Sequence, residues 1–410
     1  PSLLTDETLL SILLGPEIAL VNNGFTFDSP ADLSSEQLFM LFLYWSSDYT
    51  YTRDNYKQAD GKYHFTESFV NSVLRYHFGD GSFTFDITQC RNYDASDGTA
   101  VIENVSGFGG GPDLRIADVQ VLEGSTVQVT ADFYNADPFL DGSGGELRYA
   151  RKVYTLDFYY GGALFQSARF APLPEDDLRA ALQLHTGETT DDLAQLFWTY
   201  DSQNGNLLGS LPDGNWTALP LTEDAWDGLS LFVYERWARK NNWPLTISET
   251  DFDHTLERYF PLGRYGWEDR SSHYLTYQDG IYTRTVYDDG HHSRYCYLDG
   301  TYTRTINDNH GARYCYLKRI SCMADGSFQL VFRCLDVPEL TEYADASADV
   351  RAVYDHAGAE ELQPQEFRRA VYRAFADGVI PTGNSMTELT VTVCLTGEAR
   401  YPFRFLSASA

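Results

Sequence analysis

Residues 279–298 read DGIYTRTVYDDGHHSRYCYL, and residues 299–317 read DGTYTRTINDNHGARYCYL. Asp279, Gly280, Tyr282, Thr283, Arg284, Thr285 and Asp288 recur 20 positions later (299 − 279), while Tyr295, Cys296, Tyr297 and Leu298 recur at 19 (314 − 295). Alternating Tyr, Thr and Arg between turn residues is a hairpin pattern. The stretch therefore reads as one hairpin unit copied in tandem, one residue shorter in its second turn. Laid out as a simple meander, Tyr282, Arg284 and Val286 share one sheet face, repeated by Tyr302, Arg304 and Ile306, with Thr283, Thr285, Thr303 and Thr305 on the other.

Working outward, the same logic applies on a larger scale. Ser34 and Gln37 form an S-x-x-Q capping box before an apolar helix through Leu38, Met40, Leu41, Phe42 and Trp45. Thr222-Glu223-Asp224 open a similar helix through Leu229, Phe232, Val233 and Trp237. A second helix follows in each half: Phe69…Arg75-Tyr76 aligns with Phe252…Arg258-Tyr259 at an offset of 183 (252 − 69), with Thr66 and Ser248 or Thr250 as caps. Hairpins at Val119–Phe133 and Ile320–Cys334 match at 201 (320 − 119), and runs ending at Phe170 and Phe405 match at 235 (405 − 170). The offset first grows by 18 (201 − 183), close to one hairpin unit, and then by 34 (235 − 201). That second surplus holds Pro364–Phe375, a helix with Pro364 at its first position and Gly378 at its stop.

The expected fold class is α+β, built as two tandem homologous units. Each has two or three helices packed on a curved antiparallel β-sheet. The expected divisions are residues 1–172, a helical connector 173–220, and residues 221–410 carrying an extra hairpin (279–317) and an inserted helix (360–378). This element order resembles the cystatin-like and NTF2-like rolls over roughly 30–170 and 220–405. The whole chain also resembles secreted, lipoprotein-type surface proteins of Gram-positive gut bacteria. That likeness implies an extracytoplasmic protein of the cell envelope, with an N-terminal lipid anchor in the precursor.

With 59 acidic against 30 basic residues, the net charge of −29 repels phosphate backbones and anionic surfaces, so nucleic acid is excluded as a partner. No run of about 18 apolar residues offers a transmembrane segment. The six cysteines, Cys90, Cys296, Cys315, Cys322, Cys334 and Cys394, show neither C-x-x-C nor zinc-ligand spacing. In a simple meander a strand separates Cys296 from Cys315, about 9–10 Å apart, which predicts free thiols.

Candidate chemistry is sparse. His254 lies beside Asp253 and Glu257, and His77 beside Tyr76, so either could serve acid–base catalysis if paired with a carboxylate in a pocket. Asp288, His291, His292 and His310 sit in two hairpin turns and could ligate a metal, or be ordinary polar turn residues. Tyr282, Arg284, Tyr302 and Arg304 could stack on sugars or a peptide. Arg368, Arg369 and Arg373 supply a local basic surface on the inserted helix. No Walker, G-x-S-x-G, S-x-x-K or H-E-x-x-H motif is present. The reading that follows is a non-enzymatic binding protein with no cofactor, recognising a glycan, a peptide or a host or cell-wall ligand through its elaborated second unit. A hydrolase or isomerase with a pocket in one roll, and a structural spacer, remain the alternatives.

Overall fold

In a computed structural model, residues 5–20, 24–47, 55–103, 112–134, 147–159, 162–186, 214–215, 223–241, 244, 246–260, 275–284, 294–298, 301–305, 312–337, 343, 346–362, 364–379, 386–396 and 403–409 are described. The chain is α+β with antiparallel sheets, as the patterning predicts. It divides into two compact units: Pro1–Ala181 with Cys322–Ser327 and Leu395–Pro402, and Leu182–Ser321 with Phe328–Cys394 and Phe403–Ala410. The division falls after Ala181.

The first unit begins with helices α1 (Asp6–Ala19) and α2 (Ser35–Ser47). The expected capping box forms reciprocally, Gln37 N–H donating to Ser34 Oγ at 3.3 Å and Ser34 N–H to Gln37 Oε1 at 3.0 Å. Strand β1 (Tyr63–Phe65) leads through the cap Thr66 into α3 (Glu67–Phe78). β2 (Tyr93–Asp94) and β3 (Thr99–Ile102) complete a small sheet in the order β1-β3-β2. Then β4 (Asp113–Val121), β5 (Thr126–Tyr134), β6 (Arg148–Tyr159) and β7 (Gly162–Phe170) pair in sequence as a four-stranded meander.

Period-two alternation fixes the register of this meander. Val127, Val129, Ala131 and Phe133 of β5 are buried together, and Tyr154 and Leu156 of β6 join them. Helix α3 lies against β7 and α1 against β4. Between helices and sheet sits an aromatic core: Phe42 meets Phe65 edge-on at 4.9 Å, and Phe78 meets Phe27 at 6.0 Å and Trp45 at 5.6 Å. Each such buried ring contributes about 1.5–3 kcal/mol of transfer free energy, with about 0.5–1.5 kcal/mol more per well-set pair. Helix α4 (Glu175–Thr186) starts within the first unit, its Leu178 and Ala181 buried.

The second unit contains α5 (Glu223–Lys240), then β9 (Thr246–Ser248) running into α6 (Glu249–Tyr259), capped by Ser248, whose Oγ accepts from Asp251 N–H at 3.1 Å. β10 (Leu275–Gln278) and β11 (Ile281–Arg284) follow, in the sheet order β10-β11-β9. The main sheet runs β14 (Ala312–Cys322), β15 (Phe328–Val337), β16 (Met386–Leu395), β17 (Phe403–Ser409), with the short β8 (Gly214–Asn215) on the outside. Phe232 and Phe260 pack on Phe405 at 5.9 and 5.1 Å, fixing the helices to β17.

The doubled stretch departs from a simple meander. β12 (Arg294–Leu298) pairs with β13 (Thr301–Thr305) as a separate two-stranded sheet, while both edges of β11 are taken by β10 and β9. The physical reason is the turn. Asp279 (φ 51°) and Gly280 (φ 80°) are both left-handed, the type I′ conformation whose twist matches a tight hairpin. The hairpins therefore close across Asp-Gly: Tyr277 opposes Tyr282 in one, and Tyr297 opposes Tyr302 in the other. The second YCYL copy has left the repeat altogether, for Tyr316 belongs to β14.

Between β15 and β16 the chain inserts two helices, α7 (Ala348–Ala357) and α8 (Pro364–Ala376). The second is the expected inserted helix; the first was not foreseen. Val350, Val353 and Tyr354 of α7 pack with Phe367, Val371 and Phe375 of α8 around Leu335, and Phe375 stacks on Tyr316 at 5.4 Å.

Candidate functional sites

The two histidines singled out for catalysis sit in unsuitable places. His77 stacks on Trp45, ring centroids 3.7 Å apart and planes within 9°, and burial pushes its pKa down to about 4. At neutral pH it is an uncharged aromatic surface, and no carboxylate among the described residues accepts from it. His254 is exposed, and Arg258 Nε donates to its Nε2 at 2.9 Å. A guanidinium donating to that lone pair occupies the nitrogen a general base would use. The expected histidine–carboxylate couple is found at neither site.

Phe367, Val371 and Phe375 of α8 are buried, whereas Arg369 and Arg373 are exposed. The side chain of Arg368 lies outside the described set, as do those of Tyr282, Arg284, Tyr302 and Arg304, whose backbones hold the register positions given above. Asp288, His291, His292 and His310 lie outside the described residues, and so do the thiols of Cys296 and Cys315. Among the described residues no group of three or more histidine, cysteine or acidic side chains is placed to hold a metal, and no helix is long and apolar enough to cross a membrane.

Three charged clusters in the first unit escaped the sequence reading. The deepest joins α1 to β6. Lys152 Nζ donates to both carboxylate oxygens of Glu17, at 2.8 and 2.7 Å, and to the Phe25 carbonyl at 3.3 Å, while the Tyr154 hydroxyl donates to Glu17 Oε1 at 2.6 Å. Burial, followed by the Glu17 charge, pushes the Tyr154 hydroxyl well above its ordinary pKa, so it stays a donor. One signal was available: Lys152 falls in step with Tyr154 and Leu156 on a strand whose alternate residues face the core.

A second cluster ties α4 to the sheet. Asp132 accepts from Arg151 Nε at 2.6 Å and from Arg148 Nη1 at 2.8 Å, and Arg148 Nε donates onward to Asp177 at 2.8 Å.

In the third, His64 of β1 stands between two acids, Nδ1 2.7 Å from Asp97 and Nε2 3.1 Å from Asp60. Only the imidazolium donates from both nitrogens, and the bond to Asp97 followed by that to Asp60 raises the His64 pKa. A raised folded value means that this contribution is fully present below the ordinary histidine pKa near 6.5 and is lost as pH rises through the folded value. The expected result is an imidazole titration by NMR with its midpoint above 6.5. A His64→Gln variant should lose the corresponding fall in stability on the alkaline side; a midpoint at or below 6.5 would refute the bridge.

A shallow hollow of about 270 Å³ lies between the end of α3 and the β6–β7 hairpin, lined by Arg75, Tyr76, Gly79, Asp80, Tyr159 and Leu164. Arg75 and Asp80 pair across it at 3.1 Å, and the Tyr159 hydroxyl is bonded to the Tyr76 carbonyl at 3.0 Å. Its two charged groups, Arg75 and Asp80, neutralise one another.

No protein-family model, curated relative or solved structure matches the chain.

Proposed function

We propose that the protein is a duplicated, non-enzymatic binding protein of the cell envelope, working outside the cytoplasm through the parts added to its second unit. The observation that carries this reading is one of element order. Both units run apolar helix, short strand, capped helix, small three-stranded sheet and sequential meander, and the central strand of each small sheet is β3 or β11. Against that common order the second unit adds, among the described residues, the β12–β13 hairpin, the α7–α8 pair and the short edge strand β8. Duplication of a cystatin-like or NTF2-like roll accounts for the order, and gain of function accounts for the additions. Exposed Arg369 and Arg373 give the α8 addition a charge opposite to that of the chain, suited to an acidic peptide or a polar glycan. The acidic, Tyr-rich, Lys-poor strands support export. The placements of His77 and His254 weigh against acid–base chemistry.

The hairpin can be removed cleanly. Excising Val286–Thr305 deletes one repeat and joins Thr285 to Ile306, leaving β11 and β14 whole. The excised protein is expected to melt within a few degrees of the parent, because the strands on either side of the cut, β11 and β14, are kept whole. Retention on immobilised cell-wall preparations and on glycan and peptide arrays is expected to fall at least tenfold for ligands the parent binds. Unchanged retention after both this excision and an Arg369→Glu/Arg373→Glu double substitution would overturn the proposal.

A further inference from the structure

Among the described strands the hairpins β2–β3, β10–β11 and β12–β13 differ at their edges; the first closes over four residues and the other two over two. On the outer edge of β3 lies β1, with Phe65 opposite Ala100, His64 opposite Val101 and Tyr63 opposite Ile102. Along the outer edge of β11 runs β9, with Ser248 opposite Ile281, Ile247 opposite Tyr282 and Thr246 opposite Thr283. β12–β13 copies β10–β11 in register: Leu298 opposite Thr301 repeats Gln278 opposite Ile281, and Tyr297 opposite Tyr302 repeats Tyr277 opposite Tyr282. Among the described strands this third hairpin is a two-stranded sheet. An isolated two-stranded hairpin is marginal in water, and a third strand is what usually makes such a unit hold.

Register decides which peptide groups face away from β12. Two residues separate Leu298 from Thr301, so that pair exchanges both of its hydrogen bonds, and alternation follows along the strand. The peptide groups of Thr301, Thr303 and Thr305 therefore face β12, and those of Tyr302 and Arg304 face outward. The same parity holds on β11, where outward-facing Gly280 accepts from Glu249 N–H at 2.8 Å. Glu249 also accepts from the Tyr277 hydroxyl at 2.8 Å, and Tyr297 is the residue at the equivalent position of the copy.

Resting on the reading that the added hairpin is a binding element, we infer that the outer edge of β13 is a strand acceptor for an extended segment of another protein. The partner strand runs antiparallel, with a β-branched residue opposite Tyr302, a small residue opposite Thr301 and a carboxylate directly after it. This is the Ile247-Ser248-Glu249 pattern that fills the edge of β11. Charge selects against a second copy of this chain. Residues 294–305 carry Arg294, Arg304 and Asp299, a net +1, within a chain of −29. The hairpin thus attracts an acidic strand, while two whole molecules repel.

The probe is the synthetic peptide Pro-Leu-Thr-Ile-Ser-Glu-Thr, residues 244–250, titrated into the full ¹⁵N-labelled chain. Amide exchange at Tyr302 and Arg304 is expected to slow at least threefold at millimolar peptide, with Thr301 and Thr303 unchanged. The peptide carrying Ile247→Pro is expected to protect neither amide, because it lacks the central donor, and Glu249→Gln is expected to bind a few-fold more weakly. Changing the peptide leaves the protein's own fold untouched. Absent slowing, or equal slowing with the proline peptide, overturns the inference; so does protection that grows with protein concentration alone, which would make the occupant a second copy. If excision of Val286–Thr305 abolishes ligand retention while the peptide fails to pair, the binding role stands and only strand pairing falls.

Discussion

Lys152→Met is expected to destabilise the first unit by about 3–5 kcal/mol, because it strands the Glu17 carboxylate in the core. The Lys152 and Glu17 side chains are 4% and 6% exposed, so water cannot replace the missing partner. Only Tyr154 still donates to the carboxylate. Lys152 also lies 5.2 Å from the Phe133 ring centroid and 5.0 Å from that of Phe170, contacts that methionine partly keeps. The loss is therefore chiefly electrostatic. The double variant Lys152→Met/Glu17→Leu tests this directly. Exchanging a buried pair for apolar groups of similar size is often neutral or stabilising by about 1–4 kcal/mol, so the double variant should recover most of the single variant's loss. Urea unfolding of the parent, both single variants and the double variant gives the coupling. If the double variant is as unstable as the sum of both single changes, the pair is not coupled as described.

What the sequence discloses and what it hides follow from the range of the interactions. Local chemistry was legible. The Ser34–Gln37 box, the Thr66 and Ser248 caps, the Glu123-Gly124 and Asp325-Gly326 turns, and the α8 helix from Pro364 all depend on residues within a few positions of one another. Helix α7 was missed because its signal is short. Its buried residues Val350, Val353 and Tyr354 make barely one turn of apolar stripe, completed by α8 rather than by itself. The doubled hairpin was recognised but phased wrongly. In the sequence Asp-Gly reads as the border between units, whereas its left-handed pair is the turn at a hairpin's centre. The identical YCYL copies then diverge for a reason no local pattern contains. Leu298 lies two residues from a hairpin partner, while Tyr316 is drawn into the sheet that Phe375 stacks upon.

The candidate site was less legible than the fold because pairings such as His64–Asp97 and Lys152–Glu17 span 33 and 135 residues. His254 shows the same limit at shorter range, since it is Arg258, one helical turn away, that donates to it.

Asp132→Ala is expected to cost about 3–5 kcal/mol as well, and to release α4 from the sheet. Asp132 is buried on the face of β5 opposite Val129, Ala131 and Phe133, and it holds two guanidinium groups at once. Removing it leaves Arg148 bound only to Asp177 and Arg151 without its bidentate acceptor, so the arginines repel with nothing between them. Burial works to raise the Asp132 pKa, but hydrogen bonds and charge from Arg151 and Arg148 outweigh it and the value falls below that of a free aspartate. A depressed folded value means that the contribution is present above the unfolded pKa near 3.9 and is lost as pH falls through the folded one. The parent should therefore lose stability in the acid limb below about pH 4 more steeply than Asp132→Ala, in which that proton-linked loss has already been taken. Because Arg148 bridges β6 to Asp177, the helix beginning at Glu175 should exchange its amides faster in the variant than the meander does. Equal protection of α4 in the two proteins would mean that burial of Leu173, Leu178 and Ala181 holds the helix alone, and that the arginine bridge adds charge order without anchorage.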